Sequence, residues 1–258
     1  MTPTETGLLI VALVVVMAAV AFTVQTIENQ RRERRMRLLI LRDQIRRADH
    51  LLHTLPGHYI TGEIRDLLVA YLQGRWNQVM ALENNPENQK KLEETEALAS
   101  QPLPVVEYPE GSMTLHRDRA HAQRTAALLR ELYQFLMELK KSHVLPAVTA
   151  REVFTQVREA YTRTRIDVEI MEAMDVEQSR GAAPALPRYR TAVGKLQRLN
   201  LAQQLDRQIY ELNTHIDKLQ EIAQRERRLR EAEEQRRREE EAAKEDSFQP
   251  KPFTDFHR

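Results

Sequence analysis

The chain has 258 residues, no cysteine, and 39 basic against 38 acidic side chains. Without cysteine there is no disulfide, no thiolate metal site and no thiol nucleophile. Because 31 of the basic residues are arginines set among glutamates, the charge balance also argues against the uncompensated basic face on which nucleic-acid binders rely. A composition 30% charged, 5% aromatic and poor in Gly is that of long helices, so the expected fold class is all-α.

From Thr6 to Ile27 there are 22 residues without a charge, mostly Leu, Ile, Val, Ala and Met. At about 1.5 Å per residue they reach roughly 33 Å, enough for a hydrocarbon core of about 30 Å. A cleaved signal peptide needs a basic segment before the run and a small-residue cleavage site after it, and neither is present. The run is followed at once by Arg31, Arg32, Arg34, Arg35 and Arg37. Positive charge is retained in the cytoplasm, so a transmembrane helix is expected with its N-terminus outside and the body inside, at the inner membrane of a bacterial cell. The same arginines can also attract anionic lipid.

Leu38, Leu41, Ile45, Ala48, Leu52 and Leu55 continue the helix with the spacing of a coiled-coil seam, up to Pro56-Gly57. A second amphipathic helix is expected over Thr61–Glu83, closed by Asn84-Asn85-Pro86, and a short acidic one over Glu87–Ala99. Gln101 to Ser112, with three prolines and a glycine, reads as a linker. A long helix follows over Thr114–Ser142, with Ala122, Leu129, Leu132, Leu136 and Leu139 on one stripe, ended by Pro146. Thr149 and Glu152 have the spacing of a capping box and are expected to open the next helix, with Val153, Val157, Tyr161, Thr164, Val168 and Met171 inward. Arg180–Pro187 reads as a loop, and one unbroken helix of more than fifty residues is expected after it. In that helix Leu205, Ile209, Leu212, Ile216 and Leu219, flanked by Ala202 and Ala223, keep a heptad register able to pair within the chain or in a homodimer. Arg225 to Glu245 then holds eight basic and eight acidic residues, a solvated spacer laced with i,i+4 pairs.

The expected organisation is an outward N-terminus and transmembrane anchor over 1–27, and a membrane-proximal coiled-coil helix and helical hairpin over 28–100. A Pro-rich linker (101–112), a helical bundle with a seam (113–224), the charged spacer (225–247) and a flexible Phe/Pro tail (248–258) follow. That tail holds Phe248, Phe253 and Phe256, three of the six phenylalanines, while Pro250 and Pro252 forbid a regular helix. Aromatic anchors in such a segment point to docking on a partner protein.

No phosphate-binding glycine loop, GxSxG or HExxH occurs, so no catalytic residue, cofactor, metal or small-molecule substrate is expected. His50 and His53 share a helix face with Asp49 beside them, but His58 lies past the Pro-Gly break; a helix-end role is expected. His116 and His121 are expected on exposed faces, and Asp167, Glu169, Glu172, Asp175 and Glu177 on a solvated acidic one. In plan the chain resembles bacterial membrane scaffolds with a cytoplasmic helical body. The function expected on these grounds is a non-enzymatic scaffold or adaptor that tethers a protein partner to the lipid bilayer. The alternative, a membrane-tethered nucleic-acid-binding or DNA repair-associated factor, requires arginines of separate helices to converge into a basic groove.

Overall fold

The computed structural model describes residues 3–103, 107–200 and 204–247, and within them the side chains of Met17 and of residues 22 to 244. The described chain is all helical, with seven α-helices and no strand: α1 (Pro3–Thr54), α2 (Gly62–Leu82), α3 (Pro86–Ser100), α4 (Arg119–Lys141), α5 (Ala147–Arg180), α6 (Ala182–Leu199) and α7 (Asp206–Ser247). Among the described residues no helix is long and apolar enough to cross a membrane. The run Thr6–Ile27, on which the expected anchor rests, falls mostly on residues whose side chains lie outside the described ones. The tail residues Phe248, Phe253 and Phe256 also lie outside them.

Two compact units divide the chain, one made of residues 1–106 and 132–154, the other of residues 107–131 and 155–258. In the first, Pro56 ends α1 and begins a 3-10 turn, Gly57–Tyr59, in which the Tyr59 N–H donates to the Pro56 carbonyl at 2.9 Å. Thr61 caps α2 by accepting the Ile64 N–H at 3.3 Å. Asn85 caps α3 by accepting the Asn88 N–H at 2.7 Å, with Pro86 at the first helical position, where its missing N–H costs nothing. α1 packs on α2 and α2 on α3, burying Leu41, Ile45, Ala48, Leu51 and Leu55 of α1 and Ile64, Leu68, Leu72 and Val79 of α2. Each of these Leu, Ile and Val side chains contributes about 1.5–3 kcal/mol relative to exposure. Leu132, Leu136 and Leu139 are buried in this unit too, and the Phe135 ring meets Tyr71 edge to face at 5.0 Å between centroids.

α4 ends in a Schellman turn: His143 takes a left-handed φ of 57° and the Val144 N–H reaches back to the Leu139 carbonyl at 3.1 Å. α5 starts at Ala147, two residues ahead of the expected Thr149. The Pro146 carbonyl already accepts the Ala150 N–H at 2.9 Å, so the proline that ends one helix begins the next.

In the second unit α4 begins at Arg119 rather than Thr114, because Asp118 outcompetes the threonine as the cap: its carboxylate accepts the His121 N–H at 2.7 Å. The expected loop Arg180–Pro187 contracts to Gly181, whose φ of 87° turns the chain directly from α5 into α6. Pro184 lies in the first turn of α6, where backbone N–H groups lack partners anyway, and Pro187 sits within the helix.

The expected unbroken last helix is interrupted at Asn200. Its side-chain carbonyl accepts the Leu205 N–H at 2.8 Å and its amide donates to Asp206, so a polar side chain recaps the chain with no Pro or Gly present. α6 and α7 pack together. Their core holds Ile166, Ile170 and Ala173 of α5, Ala185, Tyr189 and Leu196 of α6, and Leu205, Leu212, Ile216 and Leu219, with Ile209 and Ala223 partly buried. From Arg227 to Lys244 every residue of α7 is exposed. Ion pairs Arg230–Glu226 (3.5 Å), Arg227–Glu231 (2.8 Å) and Arg237–Glu241 (3.4 Å) run along it, each worth a few tenths of a kcal/mol.

Candidate functional site

The most unusual chemistry in the second unit is a charge set inside its helices. Asp167, on α5 between Ile166 and Ile170, is 0% exposed. Its Oδ2 accepts the Leu115 N–H at 3.0 Å and Nδ1–H of His116 at 2.8 Å, and its Oδ1 accepts Nε2–H of Gln208 at 2.7 Å. Gln208, equally buried, also donates to the Met113 carbonyl at 3.1 Å and receives Nε–H of Arg163 at 3.3 Å. The Arg163 guanidinium in turn lies 5.9 Å from the centre of the Tyr108 ring. Tyr108 donates its hydroxyl to the Ser112 carbonyl at 2.7 Å, and burial, with the Asp167 charge, pushes that phenol above its usual range.

This corrects two expectations. His116 is not exposed: its side chain is enclosed, and its ring lies 5.3 Å from that of His121. Asp167 does not belong to a solvated face. The physical reason is the same for both. Residues 112 to 116 carry hydroxyls that bind their own backbone, Ser112 to the Thr114 carbonyl at 2.6 Å and Thr114 to the His116 carbonyl at 2.9 Å. That conformation is not helical, and it turns the Leu115 N–H and the His116 ring onto α5. A buried carboxylate is tolerable only with such a set of donors.

Of the rest of the acidic row, Asp175 is exposed and the three glutamates are committed within the unit. Glu169 pairs with Lys195 at 2.7 Å and Glu172 with Arg119 at 2.6 Å. Glu177 accepts the Tyr189 hydroxyl at 2.7 Å and Nε2–H of His215 at 2.9 Å. Burial, followed by that hydrogen bond and the neighbouring carboxylate charges, drives the Tyr189 phenol well above its ordinary range. These three glutamates tie α5 to α4, α6 and α7.

In the first unit His53 donates from Nδ1 to the Asp49 carbonyl at 3.0 Å, and Nδ1 of His50 lies 3.1 Å from the Thr54 hydroxyl. These contacts belong to the last turn of α1. Among the described residues no group of three or more His, Asp or Glu is placed to hold a metal ion. A groove of 880 Å³ runs between α1, α2 and α3, lined by Trp76 and Ile45 and by charges of both signs, including Arg42, Arg46, Asp49 and Glu87.

The arginines after the uncharged run are all exposed, but their roles differ. Arg34 donates to the carbonyl of Leu82 at the C-terminus of α2, where a cation meets the negative end of the helix dipole. Arg42, two turns on, reaches Glu83 at 2.8 Å. Arg32 and Arg37 pair along the helix with Glu28 and Glu33 at 4.0 and 3.8 Å. Arg31 and Arg35 have no carboxylate within ion-pair distance among the described residues. Of the seam residues, Leu205, Leu212, Ile216 and Leu219 are buried, and Ile209 partly so, against α5 and α6 of the same chain.

No known protein family, curated protein or solved structure shows significant similarity to this chain.

Proposed function

We propose that the chain is a non-enzymatic, membrane-anchored scaffold: one N-terminal helix crosses the inner membrane of a bacterial cell, and the helical body presents itself to a protein partner in the cytoplasm. The observation that carries this reading is the continuity of α1. A single helix of 52 residues, about 78 Å at 1.5 Å per residue, runs from the uncharged segment through the arginines to the buried Leu41–Leu55 stripe. The anchor and the body's core therefore share one rod. The rest of the charge chemistry agrees with a structural protein: Arg47 meets Glu138 at 2.7 Å, Arg119 meets Glu172, and Arg207 meets Glu211 at 3.1 Å. Arginines paired in this way do not add up to the basic groove that a nucleic-acid-binding factor requires.

The test is a pair of reporter fusions at the C-terminus combined with alkaline carbonate extraction. The cytoplasm-active reporter gives signal and the chain stays in the membrane pellet. Signal from a periplasm-only reporter overturns the orientation, and release into the carbonate supernatant overturns the anchor.

A further inference from the structure

Among the described residues nothing covers the outer side of α1 just past the arginines. Arg31, Arg35 and Leu39 follow one another at i,i+4, and Arg32, Met36 and Ile40 form the neighbouring row. Both rows lie away from Leu41, Ile45 and Ala48, which face the core. Met36, Leu39 and Ile40 are 58%, 61% and 53% exposed, three large apolar residues at i,i+3 and i,i+4 spacing on one helical surface. A contiguous patch of this kind, rimmed by charge, marks an interaction surface.

Three occupants can be weighed by distance and charge. If the span ends near Ile27, Leu39 stands about 18 Å further along the helix, whereas the headgroup layer is only about 5–8 Å deep on each side. The bilayer that holds the anchor cannot cover the patch. A second copy anchored in the same membrane would run parallel and set Arg35 against Arg35, a like-charge contact beside the apolar residues. What fits is a surface with apolar residues to meet Met36, Leu39 and Ile40 and carboxylates to meet Arg31 and Arg35, which have no carboxylate within ion-pair distance among the described residues.

We infer that this face of α1 is the docking site for an acidic amphipathic helix of a partner protein. The inference rests on the scaffold reading and names its surface and the chemistry of its partner.

The test places a photoreactive amino acid at position 39 of the full chain in living cells and identifies the adduct by mass spectrometry. The expected adduct is a segment of another protein with hydrophobic residues at helical spacing, flanked by Asp or Glu. Arg31→Glu together with Arg35→Glu lowers its yield by about tenfold or more, while carbonate extraction is unchanged. An adduct with phospholipid, with a second copy of this chain, or with a basic or irregular segment overturns the inference, as does the absence of any adduct. Release of the unaltered chain by carbonate sinks the anchored reading whichever adduct forms, so the two fail separately.

Discussion

Nδ1 of His116 lies 2.8 Å from Oδ2 of Asp167 with both side chains enclosed, and the two residues are 51 apart in sequence. Taking Asp167 out removes an acceptor from His116, from the Leu115 N–H and from the Gln208 amide, which keeps only the Met113 carbonyl. Asp167→Ala should lower the unfolding free energy by about 3–5 kcal/mol in chemical denaturation of the full chain in detergent. His116→Ala and Asp167→Ala combined should cost less than the sum of the two. A loss below about 1 kcal/mol for Asp167→Ala would mean that the network holds nothing.

Gly181 joins α5 to α6 at φ 87° and ψ −177°, a conformation open essentially to glycine alone. A Cβ built there meets nothing nearer than a Glu226 carboxylate oxygen at 4.0 Å, so there is space for it and the cost lies in the backbone. Gly181→Ala should destabilise by about 1–3 kcal/mol. Gly74→Ala, within α2 and with nothing near the added atom, should be neutral or slightly stabilising in the same measurement.

The Tyr189 phenol is raised from its ordinary 10.0 by burial and by Glu177. The proton is held more tightly in the folded state, so the stabilisation is complete below pH 10 and falls as pH rises beyond it. Denaturant midpoints measured at about pH 8 and about pH 11 should differ more for the natural chain than for Tyr189→Phe, which cannot ionise. Equal drops for the two proteins would show that Tyr189 is not the group responsible.

Ile216 is buried in the α5–α6–α7 core and Ile222, six residues on in the same helix, is 48% exposed. Ile216→Glu should lower the melting temperature or change the mass in light scattering, because a carboxylate there has no donor. Ile222→Glu should do neither. If the two behave alike, the buried side of α7 has been assigned to the wrong residues.

Helix ends marked by proline were legible in the sequence: Pro56, Pro86 and Pro146 each fall at a boundary. Two boundaries escaped because side chains, rather than Pro or Gly, make them, with Asp118 capping α4 and Asn200 recapping α7. Pro187 misled in the other direction: it sits inside α6, where the loss of one backbone bond is outweighed by the burial of Tyr189, Ala192 and Leu196. The α4 stripe from Ala122 to Leu139 was plain from its period. Asp167 was hidden by being read together with its acidic neighbours. The signal was its position, one residue after Ile166 and three before Ile170, which places it on the stripe that turns inward. Its partner His116 sits in an irregular segment, where periodicity carries no information.

The chain passes between its two units three times, once in the linker and then part-way along α4 and part-way along α5. Neither unit is a contiguous stretch of the gene. A truncation or fusion that cuts cleanly at the Pro-rich linker would strip residues 132–154 from the first unit and leave Leu132, Leu136 and Leu139 without their core. A cut there leaves the second unit complete in residues 107–258 but takes from the first unit part of its core. Changes to its reach can enter by lengthening the exposed end of α7, where residues can be added or lost without touching either core.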